Sequence, residues 1–179
     1  MKLRYVTPFL AAFLYSVVPA AHALGPKGDI YAGYSRAGAS LYSPYTPGMN
    51  GWQAAAHVRV VPFVGIEGDV SRYSAKAGAG SQQATLVMFG PRVTVGGLGF
   101  RVFAHGLGGI AHFSSNAVAF LPGISYDAAS YAVGGGADVP LFLSFKLRFT
   151  GDYLGNSKAP SSSYSPSPYR VGVGVAYHF

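Results

Sequence analysis

The segment that decides the fold is 143–153, which reads LSFKLRFTGDY. Apolar side chains occupy alternate positions of this segment, namely Leu143, Phe145, Leu147, Phe149 and Tyr153. The positions between them carry Ser144, Lys146, Arg148, Thr150 and Asp152. Successive side chains of a β-strand point to opposite faces. The segment is therefore predicted to be a strand with one apolar face and one charged face.

The same alternation recurs along the rest of the chain. Residues 169–179 place tyrosines and valines on one face, with Arg170 and His178 on the other. Weaker or shorter versions occur in 29–36, 52–60, 64–71, 86–93, 101–110 and 131–139. Together these segments predict an all-β fold with eight antiparallel strands.

The connections between these strands alternate in length. Residues 61–63, 94–99 and 140–142 form short predicted turns, whereas 39–50, 75–82, 113–128 and 155–168 form longer loops. Short periplasmic turns and long outer loops are typical of membrane barrels. We therefore predict that residues 24–179 form an eight-stranded antiparallel up-and-down transmembrane β-barrel.

The first 23 residues are predicted to be a cleaved signal peptide. Lys2 and Arg4 precede a mostly apolar stretch, and Ala21-His22-Ala23 matches the pattern read by signal peptidase. The apolar stretch contains two prolines and is shorter than the roughly 20 residues that a spanning helix needs. Export across the inner membrane follows from this prediction.

Composition favours a membrane barrel over a soluble lipocalin-like barrel. Only 11% of the residues are charged, against about a quarter in a typical soluble domain. A soluble barrel would turn its apolar face inward, whereas a membrane barrel turns its apolar face toward lipid. Burying unpaired charges in a dry apolar core would be costly. An arginine facing lipid at mid-height would cost about 2–4 kcal/mol. The charged face is therefore predicted to line the interior.

Twelve side chains make up the predicted interior charge network: His57, Arg59, Glu67, Asp69, Arg92, Arg101, His105, Asp138, Lys146, Arg148, Asp152 and Arg170. Such a network either lines a conducting or ligand-binding lumen or fills the barrel and fixes strand register. An eight-stranded barrel is just wide enough to be filled by its side chains. We therefore favour the filled interior.

Other chemistries are not predicted. The formal net charge is +7, but the basic residues are scattered and form no run, so nucleic-acid binding is not expected. The five histidines are isolated and the chain has no cysteine, so neither a metal site nor a cofactor is predicted.

Several stretches resemble the eight-stranded outer-membrane protein β-barrel family, the class of the outer-membrane protein A transmembrane domain. They are GYS at 33–35, FGPRV at 89–93, FAHGLGG at 103–109, GGGADVP at 134–140, LRFTGDYL at 147–154 and the final strand. Val175, Tyr177 and Phe179 resemble the C-terminal signal read by the outer-membrane assembly machinery. Since no peptidoglycan-binding domain follows Phe179, a wall-anchoring role is not expected.

The resemblance implies a monomer in the outer membrane of a Gram-negative-type bacterium, without catalytic activity. Its implied partners are outer-membrane lipid, lipopolysaccharide and the assembly machinery. The implied role is structural or one of surface interaction, and a narrow pore is an alternative.

His112-Phe113-Ser114 is the one enzymatic hint. Its spacing resembles the His-x-Ser of lipid A deacylases, and side chains two apart on a strand share a face. No orienting acid stands at an obvious place, and Asp127 lies across a predicted loop. We therefore expect His112 at the lipid–water boundary and Ser114 at the start of the third outer loop, with a lipid A hydrolase as the alternative.

The predicted outer rim carries aromatic and basic residues. Tyr42, Tyr45, Tyr126 and Tyr164 suit either a recognition surface or, as we favour, an aromatic girdle. The basic residues near the rim are Arg36, Arg72, Lys76 and Lys158, and we expect them to pair with phosphates of the surrounding glycolipid.

Overall fold

The computed structural model describes residues 27–38, 48–77, 80–97, 99–115, 125–156 and 169–179. Its strands form one closed barrel in the order β1 to β8, and the last strand pairs antiparallel with the first. The strands are β1 (Gly28–Ala37), β2 (Met49–Val61), β3 (Val64–Ala77), β4 (Gly80–Gly97), β5 (Phe100–Ser115), β6 (Ser125–Phe142), β7 (Phe145–Asn156) and β8 (Tyr169–His178). The predicted fold class is thereby confirmed.

The predicted signal peptide, residues 1–23, lies outside the described residues. Within the described residues, no helix is long and apolar enough to cross a bilayer.

The two ends of the barrel differ. One end, called the terminal end below, carries Lys27, Phe179 and the connections at 62–63, 98–99 and 143–144. The opposite end, called the loop end, carries the other four connections, because the strands alternate in direction. Three of them are long, but only two residues separate β3 from β4.

The outward face is a continuous apolar band. Its exposed members at mid-barrel include Ile66, Val87, Phe89, Val102, Val133 and Phe149. Aromatic rings border this band at the terminal end (Phe63, Phe100, Phe142 and Tyr177) and at the loop end (Tyr34, Trp52, Tyr131, Tyr153 and Tyr169). An apolar band between two aromatic girdles is the outer wall expected in a bilayer.

Several strands are longer than predicted at the loop end. β3 and β4 extend to Ala77 and Gly80, and β5 extends to Ser115. The loop predicted at 75–82 is therefore wrong over most of its length. The loop predicted at 113–128 is wrong at both of its ends. The pattern is hidden there because the outward residues, such as Ser74 and Gln83, are polar once the strands rise above the apolar band.

The short turns also differ from prediction at their boundaries. β6 continues through Pro140 to Phe142, so the turn predicted at 140–142 lies instead at 143–144. A register shift between Pro140 and Phe142 accommodates the proline, which cannot donate to the ladder. The turn residues Phe63 and Leu143 have left-handed φ angles of 73° and 47°, a conformation costly for bulky residues.

The interior has two layers. An apolar layer fills the loop-end half and contains Ala37, Met49, Tyr73, Ala84, Leu86, Met88, Leu107, Ala111, Phe113, Ala128, Ala132 and Leu154. The terminal-end half is filled by charged and polar side chains. Sequence reasoning misses the apolar layer, although Leu86 and Met88 share the alternating phase of Arg92.

A charge placed on the outer wall tests this orientation. Phe89 lies at the middle of β4 and is 71% exposed. Replacing Phe89 with Arg should lower the free energy of unfolding in phospholipid vesicles by about 2–4 kcal/mol, whereas Phe89→Leu should change it little. Urea titration, followed by the gel mobility shift between folded and boiled protein, measures both. Equal stability of the two variants would place β4 outside lipid.

Candidate functional site

Asp29 is the centre of the interior polar layer. It begins β1 and is 3% exposed. Its Oδ1 accepts hydrogen bonds from Arg92 Nη1 at 3.2 Å and lies 2.7 Å from Arg148 Nη1. Its Oδ2 lies 3.1 Å from His57 Nδ1. One carboxylate thus joins four strands, β1, β2, β4 and β7.

A first branch of the network runs from Arg92 across the barrel. Arg92 also donates to Glu67 Oε2 at 3.1 Å, and Glu67 Oε1 lies 3.2 Å from His105 Nδ1. The other ring nitrogen of His105 lies 2.7 Å from Asp152 Oδ1. The His105 ring therefore bridges two carboxylates that stand on β3 and β7.

The first branch ends on Arg170, whose side chain is fully buried. Arg170 donates through Nε to Asp152 Oδ2 at 2.6 Å and through Nη1 to Asp69 Oδ1 at 2.8 Å. Gln53 donates to the second oxygen of Asp69 at 2.6 Å. These contacts add β8 and a second residue of β2 to the network.

A second branch runs from Arg148. Its Nε and Nη2 donate to the two oxygens of Asp138 at 2.6 and 2.8 Å, and His178 Nε2 lies 3.2 Å from Asp138 Oδ2. The guanidinium groups of Arg92 and Arg148 also lie 3.7 and 4.8 Å from the centre of the Phe103 ring. Cations over an aromatic face are attracted by its quadrupole, so the Phe103 ring attracts both guanidinium groups.

The structure brings together nine of the twelve predicted interior residues: His57, Glu67, Asp69, Arg92, His105, Asp138, Arg148, Asp152 and Arg170. Arg59 and Lys146 lie apart from this network at the terminal end, and Arg101 touches it only through His178, whose Nδ1 lies 2.7 Å from Arg101 Nη1. Lys146 Nζ donates to the main-chain oxygen of Gly99 at 3.0 Å. Their strands extend below the level of the buried acids, so these three side chains reach toward solvent.

Sequence reasoning misses three members of the network: Asp29, Gln53 and His178. Asp29 is the first residue of the short predicted strand 29–36. Both faces of that strand carry a charged residue and a tyrosine, so the alternation does not show which face points inward. Gln53 and His178 fall on the charged faces of their strands, but the alternation alone does not show that they contact the buried ions.

The C-terminal residues Val175, Tyr177 and Phe179 lie along the terminal-end girdle. The rings of Phe145 and Tyr177 lie 5.2 Å apart, and those of Tyr177 and Phe179 lie 6.4 Å apart. Gly28 N donates to the main-chain oxygen of Phe179 at 3.0 Å. These residues thus close the barrel against β1, and their role as an assembly signal stays a prediction.

At the terminal end the barrel opens into a cavity of about 290 Å³. Its lining includes the cationic side chains of Lys27, Arg59 and Arg101. His57, Thr94 and His178 also line it, with Asp29 at its floor. The cavity is thus the solvent-facing mouth of the polar layer.

At the loop end, outward side chains of neighbouring strands form a level row. The pairings Tyr34 with Trp52, Trp52 with Arg72, and Arg72 with Thr85 place these residues side by side. Thr85 then pairs with His112, and His112 pairs with Asp127. Arg36 and Lys76 are both exposed. Arg36 stands one outward position further toward the loops on β1, and Lys76 stands two outward positions further on β3.

A groove of about 360 Å³ lies on this row. Its lining includes Asn50, Trp52, Arg72, Ser74 and Gln83. Arg72 Nη2 donates to Gln83 Oε1 at 2.8 Å, which fixes the guanidinium at the groove. The groove thus combines a cation, two amides and an indole on the outer surface.

The predicted tyrosine girdle is wrong at Tyr126. Its ring is partly buried against the apolar interior layer and stacks on Phe113 with centroids 5.1 Å apart. Tyr42, Tyr45 and Tyr164 lie outside the described residues, as does Lys158.

His112 and Asp127 are directly paired, contrary to the expectation of a separating loop. His112 Nδ1 lies 2.6 Å from Asp127 Oδ1, because β5 and β6 continue past both residues. Ser114 lies within β5 instead of opening a loop. It pairs with Ser125 and Gln83 one step above His112, on the same outward face.

Removing the central carboxylate tests the interior network. Asp29→Asn should lower the free energy of unfolding by about 3–5 kcal/mol, because two buried guanidinium groups lose their shared counter-charge. Lys146→Gln, which removes a predicted but exposed member, should change it by less than about 0.5 kcal/mol. Urea unfolding in vesicles measures both. Similar losses in the two variants would argue against a connected network.

Comparisons with known proteins support the architecture. No family model matches the chain, and no curated protein matches it. Among solved structures, the attachment invasion locus protein Ail of Yersinia pestis is similar, with TM-score 0.59 and 18% identity over 86% of this chain and 99% of that one.

Two further structures are similar at low sequence identity. Neisserial surface protein A gives TM-score 0.62 and 14% identity over 87% of this chain and 97% of that one. A major outer membrane protein from Thermus thermophilus gives TM-score 0.65 and 14% identity over 86% and 99% of the two chains. At such identities the likeness concerns the fold. This chain therefore has the fold of the eight-stranded outer-membrane β-barrels.

Proposed function

We propose that this protein is an integral outer-membrane barrel that binds the anionic glycolipid of the outer leaflet through its loop-end rim. Its role is then structural or one of surface interaction, without transport. The observation that carries this proposal is the outward cluster of Arg36, Arg72 and Lys76 beside the Trp52 ring.

The position of this cluster follows from the outer wall. In barrels of this type the short turns face the periplasm and the long loops face outward. The loop-end girdle then lies at the outer-leaflet headgroups. Arg36, Arg72 and Lys76 point away from the barrel at this level, where charged side chains would otherwise have no counter-ion in the described part of the protein.

The groove chemistry fits a phosphorylated sugar. A guanidinium group matches the geometry of phosphate oxygens and binds them with two parallel hydrogen bonds. Asn50 and Gln83 supply amide groups for sugar hydroxyls, and the half-exposed Trp52 ring supplies an apolar face. Tyr34 donates to Asn50 Oδ1 at 2.7 Å, which orients that amide.

A structural neighbour offers a parallel. Ail of Yersinia pestis has also been solved in complex with the heparin analogue sucrose octasulfate and in a phospholipid bilayer nanodisc. A polyanion is thus bound by a barrel of the same fold. We infer an anionic partner for this chain from its own rim, and the neighbour supports the plausibility of that chemistry.

The filled interior argues against the pore alternative. The apolar layer includes Leu86, Phe113 and Leu154, all 1% exposed or less. Below it, the ion-pair network occupies the remaining width. Such packing leaves the interior to fix strand register, consistent with what eight strands allow.

Neutralising the rim tests the glycolipid proposal. The triple variant Arg36→Gln/Arg72→Gln/Lys76→Gln should bind lipopolysaccharide about tenfold more weakly or worse, since hydrogen bonds to charged groups contribute about 1.5–3 kcal/mol each. Titration calorimetry of the detergent-solubilised barrel measures the affinity. The matched control removes three positive charges from the opposite end, by Lys27→Gln/Arg59→Gln/Arg101→Gln. Equal weakening in both variants would mean a general charge effect and overturn the proposal.

A second candidate function is favoured by the bond between His112 and Asp127. With Nδ1 held by the carboxylate, His112 Nε2 faces away from Asp127, and Ser114 stands two residues along on the same face. Ser114 Oγ would attack an acyl ester carbonyl while Nε2 takes its proton. The proton then passes to the departing sugar hydroxyl, and water releases the fatty acid in a second, equivalent step.

Mass spectrometry of lipid A separates the two functions. If the hydrolase operates, cells producing the protein should lose an ester-linked acyl chain, and Ser114→Ala or Asp127→Asn should restore it. Ser115→Ala, one residue away and on the other face, serves as the matched control. An unchanged acyl pattern in producing cells removes the hydrolase and leaves the rim proposal intact.

A further inference from the structure

The terminal-end mouth is more positive than the interior network requires. Lys27, Arg59 and Arg101 line the cavity, and among the described residues none of the three pairs with a carboxylate. Each of the five buried acids is already engaged by Arg92, Arg148, Arg170 or a histidine. The mouth therefore holds three cationic side chains that form no ion pair among the described residues.

Asp29, the one acidic residue in the lining, does not pair with these three side chains. Its two oxygens face His57, Arg92 and Arg148, so its charge is shared by buried cations below the mouth. Arg101 instead places Nη1 2.7 Å from His178 Nδ1. That contact holds the guanidinium at the mouth without neutralising it.

Four buried side-chain atoms of lining residues form no hydrogen bond among the described residues. They are His57 Nε2, Arg59 Nε, Thr94 Oγ1 and His178 Nε2, of which the last lies 3.2 Å from Asp138 Oδ2. Buried polar atoms are nearly always hydrogen-bonded in folded proteins, and each exception calls for an explanation. Thr94 is 6% exposed and His57 is 3% exposed. Two of these atoms, Arg59 Nε and Thr94 Oγ1, can donate a hydrogen bond, and both belong to the wall that carries the cationic side chains.

We propose that this mouth binds a small phosphate-bearing molecule from the periplasmic side. The cationic groups supply donors only, as an oxyanion requires, and the Thr94 hydroxyl adds a neutral donor. A volume of about 290 Å³ is near the lower limit for ligand pockets, which suits a single phosphoryl group with a small substituent. Its place at the opposite end from the glycolipid rim makes the site independent of the proposed function.

The phosphate could belong to a soluble molecule or to an inner-leaflet phospholipid headgroup. The mouth lies on the barrel axis, inside the ring formed by Phe63, Phe100 and Phe142. A lipid anchored outside that ring would have to bend its headgroup over the turns. The geometry therefore favours the soluble source.

Titration with inorganic phosphate tests the site. Calorimetry of the barrel in zwitterionic detergent at constant ionic strength should show saturable binding that chloride does not reproduce. Arg59→Gln/Arg101→Gln should weaken this binding about tenfold or more, whereas Lys146→Gln, at the same end of the barrel but outside the cavity lining, should leave it unchanged. No saturable binding, or equal weakening in the two variants, would overturn the proposal.

Thr94→Val provides a test that does not depend on removing charge. The substitution keeps the side-chain volume and deletes the unpartnered hydroxyl. It should weaken phosphate binding while leaving the unfolding midpoint in urea unchanged or higher, because no intramolecular hydrogen bond is lost. A lower midpoint together with unaltered phosphate affinity would show that the hydroxyl serves the fold instead.

Nanodiscs distinguish the two sources of phosphate. In phosphatidylcholine nanodiscs the affinity for inorganic phosphate should equal that in detergent. If phosphatidylglycerol nanodiscs leave it unchanged at constant ionic strength, a soluble ligand is supported. If phosphatidylglycerol competes with inorganic phosphate, the site holds a lipid headgroup and the soluble source is wrong.

Discussion

The carboxylate of Asp29 holds Arg92 and Arg148 together at the centre of the barrel, and the rest of the interior is arranged around this contact. Removing the charge of Asp29, Arg92 or Arg148 would leave its charged partners uncompensated in a buried environment. The branches from these arginines reach every strand. A slip of one residue between two strands would turn such side chains toward lipid. The network therefore specifies register, whatever its net contribution to stability.

The two halves of the barrel differ in which face of the strands is polar. Around the polar layer the outer wall is apolar, and the interior is charged. At the loop end this polarity reverses, with Leu86 and Phe113 inside and Gln83 and Ser114 outside. The reversal marks the level at which the strands leave lipid, and it places the groove, the basic cluster and the pair formed by His112 and Asp127 at that boundary.

The sequence predicted the strand number, the closure and most inward-facing charges, because one alternating period governs all of them. The prediction failed where the alternation between apolar and polar residues is weak. Strands such as β4 and β5 continue with polar residues outside, so the pattern predicts loops at their ends. That error hid the contact between His112 and Asp127. Asp29 was missed at a strand end, and no local pattern distinguishes Lys146 at the terminal end from Arg148 inside.

The connectivity of the polar layer has a consequence for biogenesis. Arg170 binds Asp69 across 101 positions of the chain, and Asp29 on the first strand contacts Arg148 on the seventh. No early hairpin contains both partners of these contacts, so a half-inserted sheet would expose solitary ions to hydrocarbon. Translocation of individual hairpins is thereby disfavoured. The nascent polypeptide should instead be held at an assisted, hydrated site until its last segment arrives, and then enter the bilayer as a closed cylinder.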